Sequence, residues 1–185
     1  MPPTDPDDGD LMLRLQNGDD RALDLLMNRW QVPLRRFLYR WLQNDADALD
    51  FAQETFVRVY RHRERFRPGA KFSTWLFAIA LNLCRNQARR NKSRPTIPLS
   101  DAPEIEAVDG VPNTNLLERE KTSAVRQAVD ALPEPLKTAT LLCEYEDLSL
   151  AEAAAAAGCS AKAIETRLYR ARALLRQALA AYLQK

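Results

Sequence analysis

"SLAEAAAAAGCSAKAIETRLYRARALLRQAL", residues 149–179, decides the fold. Ser149 with Glu152 three positions on forms a capping box, which satisfies the orphan amide donors where a helix begins. The alanine run carries that helix forward, since alanine is the strongest helix former. Gly158 supplies a left-handed stop, and Ser160 can cap a second helix. A short helix, a turn of about three residues containing glycine, and a longer helix make a helix-turn-helix. Ile164, Leu168, Ala171, Leu175 and Leu179 recur every three or four residues and are expected to face the core. Lys162, Glu165, Thr166, Arg167, Tyr169, Arg170 and Arg172 spread over the remaining faces. In such a motif the N-terminal residues of the second helix meet base edges in the major groove, while flanking bases hold phosphates. Arginine can bind guanine bidentately, and glutamate can accept from the cytosine amino group. Ala153, Ala156 and Ala157 would let the supporting helix approach closely. The other reading of this segment alone is an αα-hairpin with a polar outside.

Upstream the pattern is helical nearly throughout. "DLMLRLQNGDDRALDLLMNRW" places Leu11, Leu15, Leu23, Leu26 and Trp30 at helical intervals, with Asn17-Gly18 as the local irregularity. "VPLRRFLYRWLQ" continues with Leu34, Phe37, Leu38, Trp41 and Leu42 on one side, Pro33 being expected in a first turn. Asn44 to Asp47 reads as a break and cap. "ADALDFAQETFVRVYRHRERF" then reads as one helix with the apolar stripe Leu49, Ala52, Phe56, Val59 and Tyr60. "RPGAK" stops it, because proline cannot continue the ladder and glycine accepts unusual dihedrals. "FSTWLFAIALNLCRNQARR" follows as a fourth helix, apolar for most of its length and basic at its end. Residues 92–117 combine four prolines with many acids and little periodicity, the signature of a linker and domain boundary. Beyond it, one helix is expected to end near "DALPEP" and another to run through "LKTATLLCEYED". No strand signal occurs. The fold class is all-α, two small helical domains joined by a flexible linker: a disordered acidic tail (1–9), a helical domain (10–91), the acidic, proline-rich linker (92–117), and a helix-turn-helix domain (118–185).

The net charge of +2 hides strong segregation. Residues 54–94 hold eleven Arg or Lys against Glu54 and Glu64, and residues 160–185 hold six against Glu165 alone. The first ten residues carry four aspartates and no base, and residues 95–120 carry six acids against Arg119. Two basic blocks separated by an acidic one point to two polyanion-facing surfaces, with solvated helix faces as the plainer alternative. In the first block, Phe66, Phe72, Trp75 and Phe77 interleave with Arg65, Arg67, Lys71, Arg85, Arg89 and Arg90. Rings beside cations suit single-stranded DNA, because unstacked bases lie on rings while cations track phosphates. Phe66 and Phe77 read better as core. The small, basic loop "RPGAKFS" could form a pocket for an extruded base.

Other functions find little support. Cys84, Cys143 and Cys159 are widely spaced and His62 is the only histidine, so no metal-ligand spacing can be written and no cofactor is expected. The cysteines read as small buried thiols. No nucleophile–base pair can be composed, which argues against an enzyme. No apolar run approaches the roughly 20 residues of a membrane span, and the acidic, proline-rich start is the opposite of a signal peptide, so residence in the cytoplasm is expected.

"DALDFAQETFVRVYRHRERFRPGAKFSTWLFAIALNLCRNQARR", residues 47–90, resembles the second region of bacterial sigma factors of the extracytoplasmic-function group. The family pattern falls on Asp47, Asp50, Gln53, Glu54, Thr55 and Phe56, then Phe66-Arg67, then Phe72, Trp75, Leu76, Ile79, Ala80 and Asn82. "LPEPLKTATLLCEYEDLSLAEAAAAAGCSAKAIETRLYRARALL", residues 132–175, is similar to the fourth region of the same group. The resemblance implies a protein that binds core RNA polymerase and directs it to promoters. It implies that Asp47, Asp50, Gln53, Glu54 and Val57 dock on the clamp helices of the largest subunit, the polymerase partners being the clamp helices and flap of the two large subunits. It places Arg67, Lys71, Phe72, Ser73, Trp75, Asn82 and Arg85 at the −10 strand, and Ser160, Lys162, Glu165, Thr166, Arg167 and Arg170 at the −35 duplex. The linker is expected to thread toward the polymerase channels, and an anti-sigma factor is expected as a further partner. Glu165 stands where the family commonly carries Lys or another base, which should change the −35 preference. Alanines replace the usual Ile, Val or Leu of the supporting helix, so a looser helix-turn-helix is expected. No extra C-terminal domain or extended cysteine motif appears, so control by a metal or thiol within this chain is not expected. The alternative is a stand-alone helix-turn-helix regulator with an α-helical sensor domain.

Overall fold

The computed structural model of the protein describes residues 6–93 and 116–183. Among them no strand forms. Helix α1 spans Asp8–Gln16, its first turn capped by Asp7, whose carboxylate accepts from the Asp10 amide at 2.7 Å. Part of the stretch expected as a disordered tail is therefore helix. The reason lies in Asp8, which binds Arg29 and accepts from the Trp30 indole at 2.9 Å, tying the N-terminus to the next helix. Asn17 and Gly18, the latter at φ +88°, break the chain as expected.

Helix α2 runs unbroken from Arg21 to Leu42, so Pro33 sits mid-helix and not in a first turn. Its missing N–H removes one ladder bond. Burial of Leu26 and Leu34 on one side, with Phe37 and Leu38 beyond, outweighs that loss. Gln43 in left-handed backbone (φ 56°) ends α2, and the Asn44 side chain caps α3, Asp45–Arg61. A 3-10 turn, Arg63–Arg65, follows, so α3 stops before "RPGAK" and not at it. Gln16 pins that turn by donating to the carbonyls of Arg63 (2.7 Å) and Phe66 (2.9 Å). Ala52, Phe56 and Val59 are buried as their spacing predicts. Leu49 and Tyr60, at the two ends of the same expected stripe, are exposed, and Arg63 lies over the Tyr60 ring. Helix α4, Phe72–Ser93, packs Phe77 against Phe37 (centroids 4.9 Å apart) and Trp30 (6.1 Å).

The second half begins with α5, Leu116–Asp130, so both ends of the expected linker are helical. Its remainder lies outside the described residues. Helix α6, Glu134–Thr140, widens into a π turn at Leu141–Tyr145, and Asp147 turns the chain at φ 50°. The expected motif then appears: α7, Leu150–Ala157, with both arms of the Ser149/Glu152 capping box made. Gly158 stops it at φ 69°, ψ 43°. Helix α8, Ala161–Ala178, starts on the Ser160 cap, and a short α9, Ala180–Leu183, follows.

The two halves are packed together. α7 lies on α4, and α2 meets both α5 and the π turn, so the buried apolar side chains of both halves form one cluster. The alanines of α7 explain themselves here. Ala153, Ala154, Ala156 and Ala157 are all buried, because α7 is sandwiched between α8 and α4. The motif is thus not loosened by its small side chains as expected; they let two neighbours approach at once. Of the cysteines only Cys84 is fully buried, which pushes its thiol up to about 12; Cys143 and Cys159 are half-buried.

Candidate nucleic-acid interface

Helix α8 presents its polar face outward. Ile164, Leu168 and Ala171 are buried, whereas Lys162, Glu165, Thr166, Tyr169 and Arg170 are exposed. Lys162 pairs with Glu165 at 2.8 Å, so the unusual acid is screened by a base on its own helix face. Thr166 donates back to the Lys162 carbonyl at 2.9 Å. Ser160 is committed to its cap, accepting from the Ala163 amide. Arg167 is half-buried and turns toward the Cys159 sulfur at 3.3 Å, away from the outward row. An outward helix of this kind, carrying donors and an acceptor near its N-terminus, has the form that enters a major groove.

The second expected surface divides in two. Arg67 and Asn82 are exposed, and Trp75 is half-buried against Phe66 (5.4 Å). Phe72 is only 1% exposed, locked by Trp30, Phe66 and Trp75, and Ser73 is buried beside it. These two are not presented to a strand, because the first turn of α4 points them inward. Gly69, at φ 80°, allows the loop before α4 to bend, leaving a cavity of about 450 Å³ between residues 68–72 and Asp7, Gly9, Asp10 and Leu13. Lys71 pairs with Glu152 at 3.0 Å, and Arg85 binds Glu134 at 3.1 Å and the Ala157 carbonyl at 3.0 Å. Lys71 and Arg85 are thus engaged by the other half.

On α3, Asp50, Gln53 and Val57 form an exposed outer row. Glu54 is held by Arg58 one turn on at 2.7 Å, and Asp47 is half-buried in the first turn. Gln53 also borders a groove of about 580 Å³. Its walls are apolar (Val32, Leu49, Phe56, Val125) with arginines at the rim, including Arg35 and Arg36. The groove is built from both halves, and periodicity within one helix could not reveal it.

A further set of residues fastens the halves and has no counterpart in the sequence reading. Buried Lys137 donates to the Trp41 carbonyl at 2.9 Å and to Asp130. The Trp41 indole donates to Thr138 at 3.4 Å. Arg40 lies over the Tyr145 ring and 3.7 Å from Glu146. A lysine in the apolar "LKTATLL" run was the only local sign that something polar had to meet it. Among the described residues no group of side chains could hold a metal ion, and no helix is long and apolar enough to cross a membrane.

Comparison with known proteins places both halves in one family. Residues 26–94 match the family Sigma-70 region 2, and residues 122–175 match Sigma-70, region 4. The RNA polymerase sigma-H factor of Pseudomonas aeruginosa is 33% identical over 184 residues, 95% of each chain. The ECF RNA polymerase sigma-E factor of Escherichia coli is 33% identical over 172 residues, 88% of each chain. Among solved structures, CnrH in complex with the cytosolic domain of CnrY aligns over 94% of this chain and 97% of its own, with a TM-score of 0.72 and 28% identity. The Bartonella quintana sigma factor RpoE, solved with the anti-sigma factor NepR, shares the fold at 22% identity and a TM-score of 0.67, over 84% of this chain and 95% of its own. With two family regions in order and relatives matched over most of both chains, the chain belongs to the extracytoplasmic-function group of sigma-70 RNA polymerase sigma factors.

Proposed function

We propose that the protein directs core RNA polymerase to a specialised set of promoters through two separate DNA surfaces, and that it works in the cytoplasm. The observation that carries this reading is the outward polar face of α8, joined through one chain to the cationic α4 and its loop. Residues 118–185 take the −35 element as duplex, with Lys162, Glu165, Thr166 and Arg170 toward the groove and Ser160 and Arg167 shaping the helix start. Residues 10–91 take the −10 strand through Arg67, Lys71, Trp75, Asn82 and Arg85. The cavity beneath the Gly69 loop receives an extruded base. Extrusion costs a few kcal/mol, and the pocket's contacts with the flipped base offset it. Each element binds weakly by itself, and polymerase raises the effective concentration of the second site once the first is engaged. A stand-alone regulator is disfavoured because the relatives match through both halves.

Core polymerase meets the α3 row of Asp50, Gln53 and Val57, with Glu54 and Asp47 flanking it, and residues 118–185 meet the flap. An anti-sigma factor occupies the apolar groove beside that row. With Gln53 on the groove edge, a helix lying there would overlap the polymerase surface. Run-off transcription with purified core enzyme, on candidates that include the segment upstream of the protein's own gene, tests the reading. The protein should produce discrete transcripts that core enzyme alone does not. Unchanged initiation would reject it. In the same assay Gln53→Ala and Glu54→Ala should each weaken polymerase capture by roughly three- to tenfold, as truncations inside an interface do, with no change in thermal unfolding. Unaltered capture removes them from the docking row.

Glu165→Lys leaves polymerase capture intact and shifts −35 preference, because an acceptor matched to cytosine becomes a donor matched to guanine. A single contact of this kind is worth roughly 1–3 kcal/mol of discrimination. Selection from a randomised −35 duplex reads the change. An identical base profile would mean that Glu165 does not reach the groove.

A further inference from the structure

We propose that the turn after α3 is a phosphate clamp for the unpaired −10 strand, with Arg61 and Arg65 joining Arg67 as its contacts and Gln16 of α1 as the residue that positions them. The inference deepens the −10 reading and rests on it. Between Thr55 and Lys71 the one acid is Glu64. Its carboxylate lies 3.7 Å from Arg63 Nε, and Arg63 itself donates to the Tyr60 carbonyl at 2.9 Å and covers the Tyr60 ring. The acid is thus turned onto a cation that is itself folded back on α3. Arg61, Arg65 and Arg67 are exposed, and among the described residues no carboxylate pairs with them.

Two anchors fix the turn from inside. Gln16, the last residue of α1, donates to the carbonyls of Arg63 at 2.7 Å and Phe66 at 2.9 Å. Phe66, in extended backbone at φ −69° and ψ 126°, buries its ring against Trp75 and Phe72. Side chains on either side of an extended residue leave on the opposite face, so Arg65 and Arg67 both point outward. The chain then runs directly into residues 68–72, which wall the cavity for the extruded base. A base entering that cavity brings its neighbouring phosphates within reach of the three guanidinium groups. Arginine suits the task because its planar fork meets phosphate oxygens two at a time. A turn held rigid beforehand spares the ordering cost at binding. Such contacts carry no sequence information; they set the register of the strand while the cavity takes the base.

Fluorescence anisotropy of the full-length chain with a fluorescein-labelled single-stranded DNA 12-mer, titrated between about 50 and 200 mM KCl, tests this. Each phosphate contact to a single strand adds about 0.7 to the slope of log affinity against log salt. Arg61→Gln/Arg65→Gln is therefore expected to lower that slope by about 1.4 and to bind roughly tenfold more weakly at the low-salt end. Arg21→Gln/Arg176→Gln removes the same charge from exposed positions elsewhere and should cost less than about twofold, with the slope unchanged. Gln16→Ala should weaken binding in the parent and add nothing in the Arg61→Gln/Arg65→Gln chain, because its effect passes through those arginines. Equal weakening in both backgrounds would overturn the positioning role. A parent-like slope in Arg61→Gln/Arg65→Gln, beside weaker binding by Arg67→Ala/Asn82→Ala, would overturn the clamp and leave the −10 assignment standing. Parent-like binding by both double variants would overturn the assignment and the clamp with it.

Discussion

At pH 8, Glu146→Gln should be more stable than the parent chain by up to about 3 kcal/mol, and the difference should shrink to less than about 1 kcal/mol at pH 5. The Glu146 side chain is 8% exposed where the π turn meets α2. Burial comes first among the causes that push its carboxyl up to about 7 from an ordinary 4.5, and Asp147 adds to it. Arg40 at 3.7 Å and Arg36 act in the opposite sense without prevailing. A carboxyl raised in the folded chain favours the protonated form there. Its contribution is therefore complete below about pH 4.5 and is lost as pH rises through about 7. Glutamine mimics the protonated acid at every pH and escapes that loss. Urea unfolding at pH 5, 6, 7 and 8 reads both curves. A parent whose stability is level across this window, or a glutamine variant weaker than the parent at pH 8, would mean that the Arg40 pairing outweighs desolvation.

Glu146 also shows where sequence reasoning reached its limit. The Ser149–Glu152 box, Gly158 and Ser160 were legible because each signal closes within four residues of its own chain. The same locality let Asn44 be read as a cap. Nothing local tells that α7 will lie on α4, so Glu152 read only as a capping acid and its second oxygen went unassigned. Pro33 misled because the rule for proline is local, whereas the burial that keeps α2 whole is not. Leu49 fitted its stripe by spacing, yet the groove beside it needs Val125 from the other half to be recognised. For the candidate sites, residue type and order pointed to an outward polar α8, and the family resemblance pointed to the α3 row. Which cations are free and which are paired depends on tertiary partners that periodicity does not encode.

Phe72→Ala is expected to lower the unfolding free energy by roughly 3–5 kcal/mol, a large share of the roughly 5–15 kcal/mol of a typical domain. The ring is 1% exposed, with centroids 6.1 Å from Trp30, 6.3 Å from Phe66 and 6.4 Å from Trp75. All three rings belong to the N-terminal half. A role at the −10 strand would require the ring to leave this cluster at a cost comparable to the truncation itself. Trp75 is the contrasting case: half-buried at the edge of the same cluster, it can keep one face on Phe66 and offer the other to a base. Phe72→Leu retains most of the buried volume and should recover most of the stability. Chemical unfolding of both variants, beside binding of a fluorescein-labelled single-stranded DNA 12-mer at a temperature where each remains folded, decides the matter. Parent-like affinity in the folded Phe72→Ala chain assigns the ring to packing alone. Loss of strand binding with less than about 1 kcal/mol of destabilisation, well below the core-truncation range, would mean that the ring is held loosely enough to swing out to DNA.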